Sequence, residues 1–99
     1  MNDETVVARN PEVVARELPE SEGAVLLNLA SGAYHGLNPT GLVTWELIDG
    51  TRTVGDLVNG VRDRFPAAPD ALRADVVRFL EGALERDLVR AVQAEEVRG

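Results

Sequence analysis

Residues 23–45 read GAVLLNLASGAYHGLNPTGLVTW, and the fold is decided there. Val25, Leu27 and Leu29 alternate with Leu26, Asn28 and Ala30, the period of two expected of a strand with one buried face. Ser31-Gly32 then fits a two-residue hairpin turn, because glycine readily takes the positive φ that such turns need. The return strand is predicted over residues 33–37. Asn38 followed by Pro39 marks a helix start: asparagine caps free amides of the first turn, and proline at the first helical position has no amide hydrogen to lose.

Upstream, PEVVARELP (11–19) suits a short strand around residues 13–18 between two prolines. Downstream, the helix opened by Pro39 is predicted to run to about residue 49, stopped by Gly50 as a left-handed C-cap, with Leu42, Trp45, Leu47 and Ile48 as its apolar surface. Thr53 with Asp56 three residues on resembles a capping box with aspartate in place of Glu or Gln. It opens a second helix carrying Val54, Leu57, Val58, Val61 and Phe65 at helical spacing. Pro66 and Pro69 bracket a break, and a third helix is predicted from residue 69 or 70 to about 86 before a charged tail. Strands first and helices after give an α+β class: a three-stranded antiparallel sheet followed by, and packed on, three helices.

The chain of 99 residues fits one domain, with a core over about 12–90 and flexible tails at both ends. No apolar run approaches the ~20 residues of a membrane span, and MNDETVVARN has no basic region followed by an apolar one. A cytoplasmic, soluble protein without membrane association is expected. The absence of cysteine excludes disulfides, thiolate nucleophiles and cysteine metal sites. Seventeen acidic residues against ten arginines and no lysine give a formal charge of −7, which repels phosphate backbones and argues against nucleic acid as a partner. The lone His35 has no cysteine or acidic cluster at ligand spacing, so neither metal nor cofactor is expected. No nucleophile-base-acid set, phosphate loop or paired carboxylates stand out, so the chain reads as a non-enzyme.

On the third helix Phe79, Leu72, Ala83, Val76, Leu80, Leu84 and Val77 sweep an apolar arc of about 160 degrees, wider than the roughly 100-degree stripe that faces one core. Either the sheet and two helices wrap this arc completely, or its flank of Leu72, Val76, Phe79 and Ala83 lines a groove. The second wall of such a groove would be the bare strand at residues 33–37. Edge strands are normally guarded by charge, proline or bulges against unwanted pairing, and residues 31–37 contain no proline and no formal charge.

The run GAVLLNLASGAYHGLNPTGLVTWELIDGTRTVGDLV, followed by ADVVRFLEGALERDLV, resembles the PqqD-like family over residues 23–89. The resemblance implies a winged-helix-like peptide-recognition element of a pathway that makes natural products from ribosomal peptides. Free-standing and carrying GLNPTG, the chain looks most similar to the small proteins of lasso-peptide pathways that partner a leader peptidase. Asp87 stands where the family commonly has glycine. The implied activity is capture of the leader segment of a precursor peptide by strand addition.

The strand at Ala33, Tyr34, His35, Gly36 and Leu37 would pair with the guest. Ala33 and Gly36 would admit a close backbone, while Tyr34 and His35 would point to opposite faces. Net hydrogen bonds at about 0.5–1.5 kcal/mol each cannot offset the ordering of the peptide at about 1–2 kcal/mol per residue. Apolar anchors in a socket of Leu72, Val76 and Phe79 must supply the surplus, with Ala83 on the same flank. Arg73 and Arg78 would meet leader acids and Asp75 a leader base, each at no more than about 1 kcal/mol. The protein would be a monomer or weak homodimer. Two rivals are a winged-helix DNA binder and a structural adaptor or homodimer docking on an enzyme without peptide affinity.

Overall fold

The computed structural model describes residues 2–66 and 71–92, apart from the side chain of Ser21. In chain order the elements are β1 (Val6–Arg9), β2 (Val13–Glu17), β3 (Ala24–Asn28), β4 (Tyr34–Leu37), α1 (Pro39–Leu47), α2 (Val54–Arg64), α3 (Leu72–Glu85) and β5 (Val89–Val92), with a 3-10 turn at Pro19–Ser21. Strands β2, β3 and β4 form an antiparallel sheet in that order, so the expected α+β arrangement of three strands and three helices is present.

The alternation in β3 resolves with Ala24, Leu26 and Asn28 buried against the helices. Opposite residues of an antiparallel pair share a face. Leu37 and His35, opposite Ala24 and Leu26, therefore lie on the inner face, and Gly36 and Tyr34, opposite Val25 and Leu27, on the outer one. The hairpin loop differs from the expected two-residue turn. It spans residues 29–32, because Asn28 folds it around its own side chain: Oδ1 accepts from the Ala30 N–H at 2.9 Å, and the Gly32 N–H returns to the Asn28 carbonyl at 2.7 Å. Gly23, at φ +108°, enters β3 against the end of β4, where a Cβ would collide with the Leu37 carbonyl.

Both helix starts follow their sequence signals. Asn38 Oδ1 accepts from the Gly41 N–H at 2.7 Å, and Thr53 and Asp56 form a reciprocal capping box with two bonds of 3.1 Å. The end of α1 does not: it stops at Leu47, with Ile48 already extended and Gly50, at φ +84°, beyond the cap. Its last carbonyls find another partner. Arg9 on β1 donates from Nε to the Ile48 carbonyl at 3.0 Å and from a terminal nitrogen to the Glu46 carbonyl at 3.1 Å, its guanidinium 5.3 Å from the Trp45 ring. The Asp49 carboxylate then organises the next turn. It accepts from the Thr51 N–H and hydroxyl and the Arg52 N–H, which hold its pKa at about 2.

Pro69 and Asp70, where α3 was expected to begin, lie outside the described residues; the helix runs Leu72–Glu85. It ends in a Schellman motif, with the Leu88 N–H on the Ala83 carbonyl at 2.8 Å and the Asp87 N–H on that of Leu84 at 3.2 Å. Asp87 takes the left-handed position at φ +57°, the conformation for which glycine is the usual choice and Asp a tolerated one.

A second sheet, not anticipated, corrects the expected limits of the core. β1 pairs antiparallel with β5, Val6 opposite Val92, and Val7 and Val89 are buried. Residues 6–9, read as part of a flexible N-terminal tail, are thus a strand; the tail expected after residue 92 lies outside the described residues. The N-terminal segment also touches both ends of α3: Asp3 pairs with Arg73, and Asn10 Nδ2 donates to the Asp87 carbonyl at 2.7 Å. Between the three-stranded sheet and the helices, Leu26, Val43, Trp45, Leu57, Val61 and Leu80 form the centre of the core.

Candidate functional site

Which backbone groups of β4 are already used follows from the register. Asn28 donates its N–H to the Ala33 carbonyl at 2.9 Å, so this pair belongs to the hydrogen-bonded set. Antiparallel ladders alternate, which makes Leu26 with His35 and Ala24 with Leu37 the next such pairs. Tyr34 and Gly36 therefore aim their N–H and C=O groups away from β3. Among the described residues β4 is the last strand of its sheet and no strand pairs with its outer side, so these four groups form an open ladder. A Cβ built at Gly36 would meet no atom within 4 Å.

A groove runs between this edge and α3. One part is lined by Leu37, Thr40, Thr44, Asp75, Val76 and Phe79, the other by Tyr34, His35, Phe79, Gly82, Arg86 and Leu88, and the two share Gly36, Leu37 and Phe79. Phe79 is half-buried on the wall between them. The charges are unequal along the groove: Asp75 borders the Thr40 part, and Arg78 and Arg86 border the Tyr34 part. Arg78 and Asp75 pair at 3.3 Å on the exposed rim. Among the described residues no cluster of His, Asp or Glu could hold a metal ion.

The structure brings Tyr34, His35, Gly36, Leu37, Asp75, Val76, Phe79 and Ala83 to this groove. It separates others. Leu72 is 4% exposed, faces the core and lines neither part of the groove, so its expected place in the socket is corrected. The physical reason is the width of the arc, most of which α1, α2 and β5 cover. Val76 and Ala83 are also closed over, at 0% and 2%, and give the groove a floor rather than open sockets. Arg73 is turned to Asp3 and away from the groove. Ala33 is exposed beyond the end of β4 and its carbonyl is taken by Asn28.

Sequence reasoning missed Thr40, Thr44, Gly82, Arg86 and Leu88. A signal existed for Gly82: glycine inside a helix costs about 1 kcal/mol relative to alanine, which asks for a reason. Here the missing side chain leaves room at the groove, and Arg86 folds back so that its guanidinium donates to the Gly82 carbonyl at 3.3 Å.

The family model described as coenzyme PQQ synthesis protein D (PqqD) matches residues 23–89, the span from the start of β3 to the start of β5. The chain belongs to the PqqD family. Within it, 50 residues are 42% identical to a protein of Stutzerimonas stutzeri (strain A1501) named PqqA binding protein, a match over 50% of this chain and 53% of the relative. The chain thus spans about half the length of the curated relative it matches. The PqqD fold is further supported by a solved structure, TbiB1 in complex with the TbiA(beta) leader peptide, which superposes with a TM-score of 0.70 over 87% of this chain and 98% of that one at 21% identity.

Proposed function

We propose that this chain is a single-domain, cytoplasmic recognition element that holds the leader of a ribosomally made precursor peptide as a fourth strand on β4 and delivers it to the leader peptidase of a lasso-peptide pathway. The open ladder of Tyr34 and Gly36 beside the α3 groove carries this reading. It is supported by the Stutzerimonas relative, named PqqA binding protein, and by the leader peptide in the superposed complex. The chain itself performs no bond chemistry in this account; capture raises the local concentration of the leader at the enzyme.

The geometry states what the guest must look like. Its residues opposite Tyr34 and Gly36 exchange up to four backbone hydrogen bonds, and side chains there stand on the outer face. Residues opposite His35 and Leu37 point to α3 and flank Phe79. Two apolar anchors spaced i and i+2 are therefore required. Four net hydrogen bonds contribute roughly 2–6 kcal/mol. Ordering five residues costs roughly 5–10 kcal/mol. Anchors at about 1.5–3 kcal/mol each must make up the difference, with further contacts along the groove, before binding reaches a micromolar Kd.

Fluorescence polarisation with labelled leader segments of the precursor encoded beside this chain tests the proposal. Micromolar binding is expected, abolished by replacing both i and i+2 anchors with serine. Wild-type affinity for the doubly substituted peptide, or none for any leader segment, overturns it.

A further inference from the structure

The groove beside β4 carries its formal charges in a fixed order. Among the described residues the charged side chains lining it are Asp75 in the Thr40 part and Arg78 and Arg86 in the Tyr34 part. Asp75 and Val76 lie where the Leu37 end of β4 leads into Thr40, and Gly82 and Arg86 lie by Tyr34, so α3 runs along the groove antiparallel to β4. The charges that would spoil this order are held elsewhere. Arg73, in the first turn of α3, is turned to Asp3. Asp87, next to Arg86 in sequence, is held by the Asn10 amide at 3.3 Å and the Arg90 guanidinium at 3.5 Å. The start of α1 also borders the Thr40 part, but the Gly41 N–H there already donates to Asn38. An extended guest therefore meets an acid at one end of the groove and a base at the other.

We infer that the groove reads the direction of its guest: it selects a leader in which a basic residue stands two positions before the first apolar anchor and an acidic residue two positions after the second. The inference rests on the strand-addition reading given above, and the register carries it. A guest antiparallel to β4, the arrangement of both other pairs in this sheet and the slightly more stable one per residue, starts at the Leu37 end. Its anchors at i and i+2 lie opposite Leu37 and His35. Only every second residue faces α3, so the next such positions are i−2, beyond Leu37, and i+4, opposite Ala33. Those positions are separated by about 20 Å of strand, and Asp75 and Arg86 by about 16 Å of helix. The reach of an arginine side chain closes the difference, so i−2 meets Asp75 and i+4 meets Arg86. Arg78 holds Asp75 at 3.3 Å on the exposed rim, a pair weak enough to be exchanged for a guest base. Reversing the order sets acid against acid and base against base. Apolar anchors alone are nearly symmetric along a strand; the charges supply a single direction and register.

Fluorescence polarisation tests this with the leader segment of the precursor encoded beside this chain, its anchors retained and positions i−2 and i+4 set to Lys and Glu, to Glu and Lys, or both to Ala. At low salt the Lys-then-Glu peptide is expected to bind roughly tenfold tighter than the Glu-then-Lys peptide, with the alanine peptide between them, and the gap is expected to fall below about threefold in about 1 M salt. The doubly substituted protein Asp75→Lys/Arg86→Glu, changed at two exposed positions and checked for a native circular dichroism spectrum, is expected to reverse the preference. Equal affinity for the two orders at low salt, a tighter Glu-then-Lys peptide on the wild-type protein, or a preference that the folded double variant leaves unchanged overturns the inference while the groove reading stands. Loss of binding for all three peptides and for the unaltered leader overturns the groove reading, and the charge order loses its role with it.

Discussion

β2 and β4 are the two outer strands of the same sheet, and each leaves every second residue unpaired by β3. On β4 the free groups belong to Tyr34 and Gly36; on β2 the register leaves those of Ala15 and Glu17. The two edges differ in everything else. β2 lies between Pro11 and Pro19 and carries Arg16 and Glu17, with Glu12 just before it, the charges and prolines that deter a passing strand. Ala15 and Glu17 are exposed, and a cleft at the end of this strand includes Glu17 of β2, with Leu18 just beyond it. β4 bears no proline and no formal charge, and α3 stands beside it along its length. An unpaired ladder is thus common to both edges; a neighbouring apolar wall and the lack of guards distinguish the one proposed to receive a guest.

The contrast can be broken most decisively at the wall. Phe79→Asp replaces a half-buried anchor surface with a charge and is expected to weaken leader binding by roughly 10- to 100-fold, the equivalent of one apolar contact of about 1.5–3 kcal/mol, while circular dichroism stays native. Retained affinity with a native spectrum would place the guest elsewhere. Next comes the ladder. Gly36→Pro removes an outward donor and leaves the bonds of β4 to β3 in place, and a roughly tenfold loss is expected from one hydrogen bond and the altered edge. The matching change on the other edge, Ala15→Pro, should alter leader affinity by less than twofold in the same assay. Equal losses at both edges would erase the distinction.

Charge ranks below both. Arg86→Ala removes a cation from the Tyr34 end of the groove and is expected to change affinity no more than about fivefold, in proportion to surface pairs of at most about 1 kcal/mol. Measuring it at low and high salt sharpens the point, since the difference from wild type should shrink as salt rises. The smallest effect is expected at Asp87→Gly. Glycine relieves the left-handed backbone, but the Arg90 contact at 3.5 Å and the second Asn10 contact at 3.3 Å are lost. Opposing contributions of this size should leave the unfolding free energy from chemical denaturation within about 1 kcal/mol of wild type.

Local signals were enough for the pairing of β3 with β4, though not for the loop between them, and for the starts of α1 and α2. Alternation over residues 24–28, the pair Asn38-Pro39 and the box of Thr53 and Asp56 each act within a few residues, and each appears in the structure as bonds of ordinary length. Pairings between distant segments were not legible. β1 and β5 are four residues each, too short to show a period, and they form by pairing two segments far apart in sequence. The arc on α3 located a groove wall but could not say which residues would be covered, since a helical wheel gives angles and not neighbours. That is why Phe79 lines the groove while Leu72, on the same flank, is buried in the core. The end of α1 failed for a related cause, because Arg9, 39 residues before Ile48, supplies the cap that Gly50 was expected to provide.

Arg73 reaches Asp3 at one end of α3, and Asp87 meets Asn10 at the other. The opening segment therefore works as a strap across the back of the very helix that walls the groove. For the peptide binding proposed above, affinity is expected to respond to residues outside the groove: loosening the strap, by trimming it or by a bulky fusion before Asp3, removes the Arg73 and Asn10 contacts that tie down the two ends of α3.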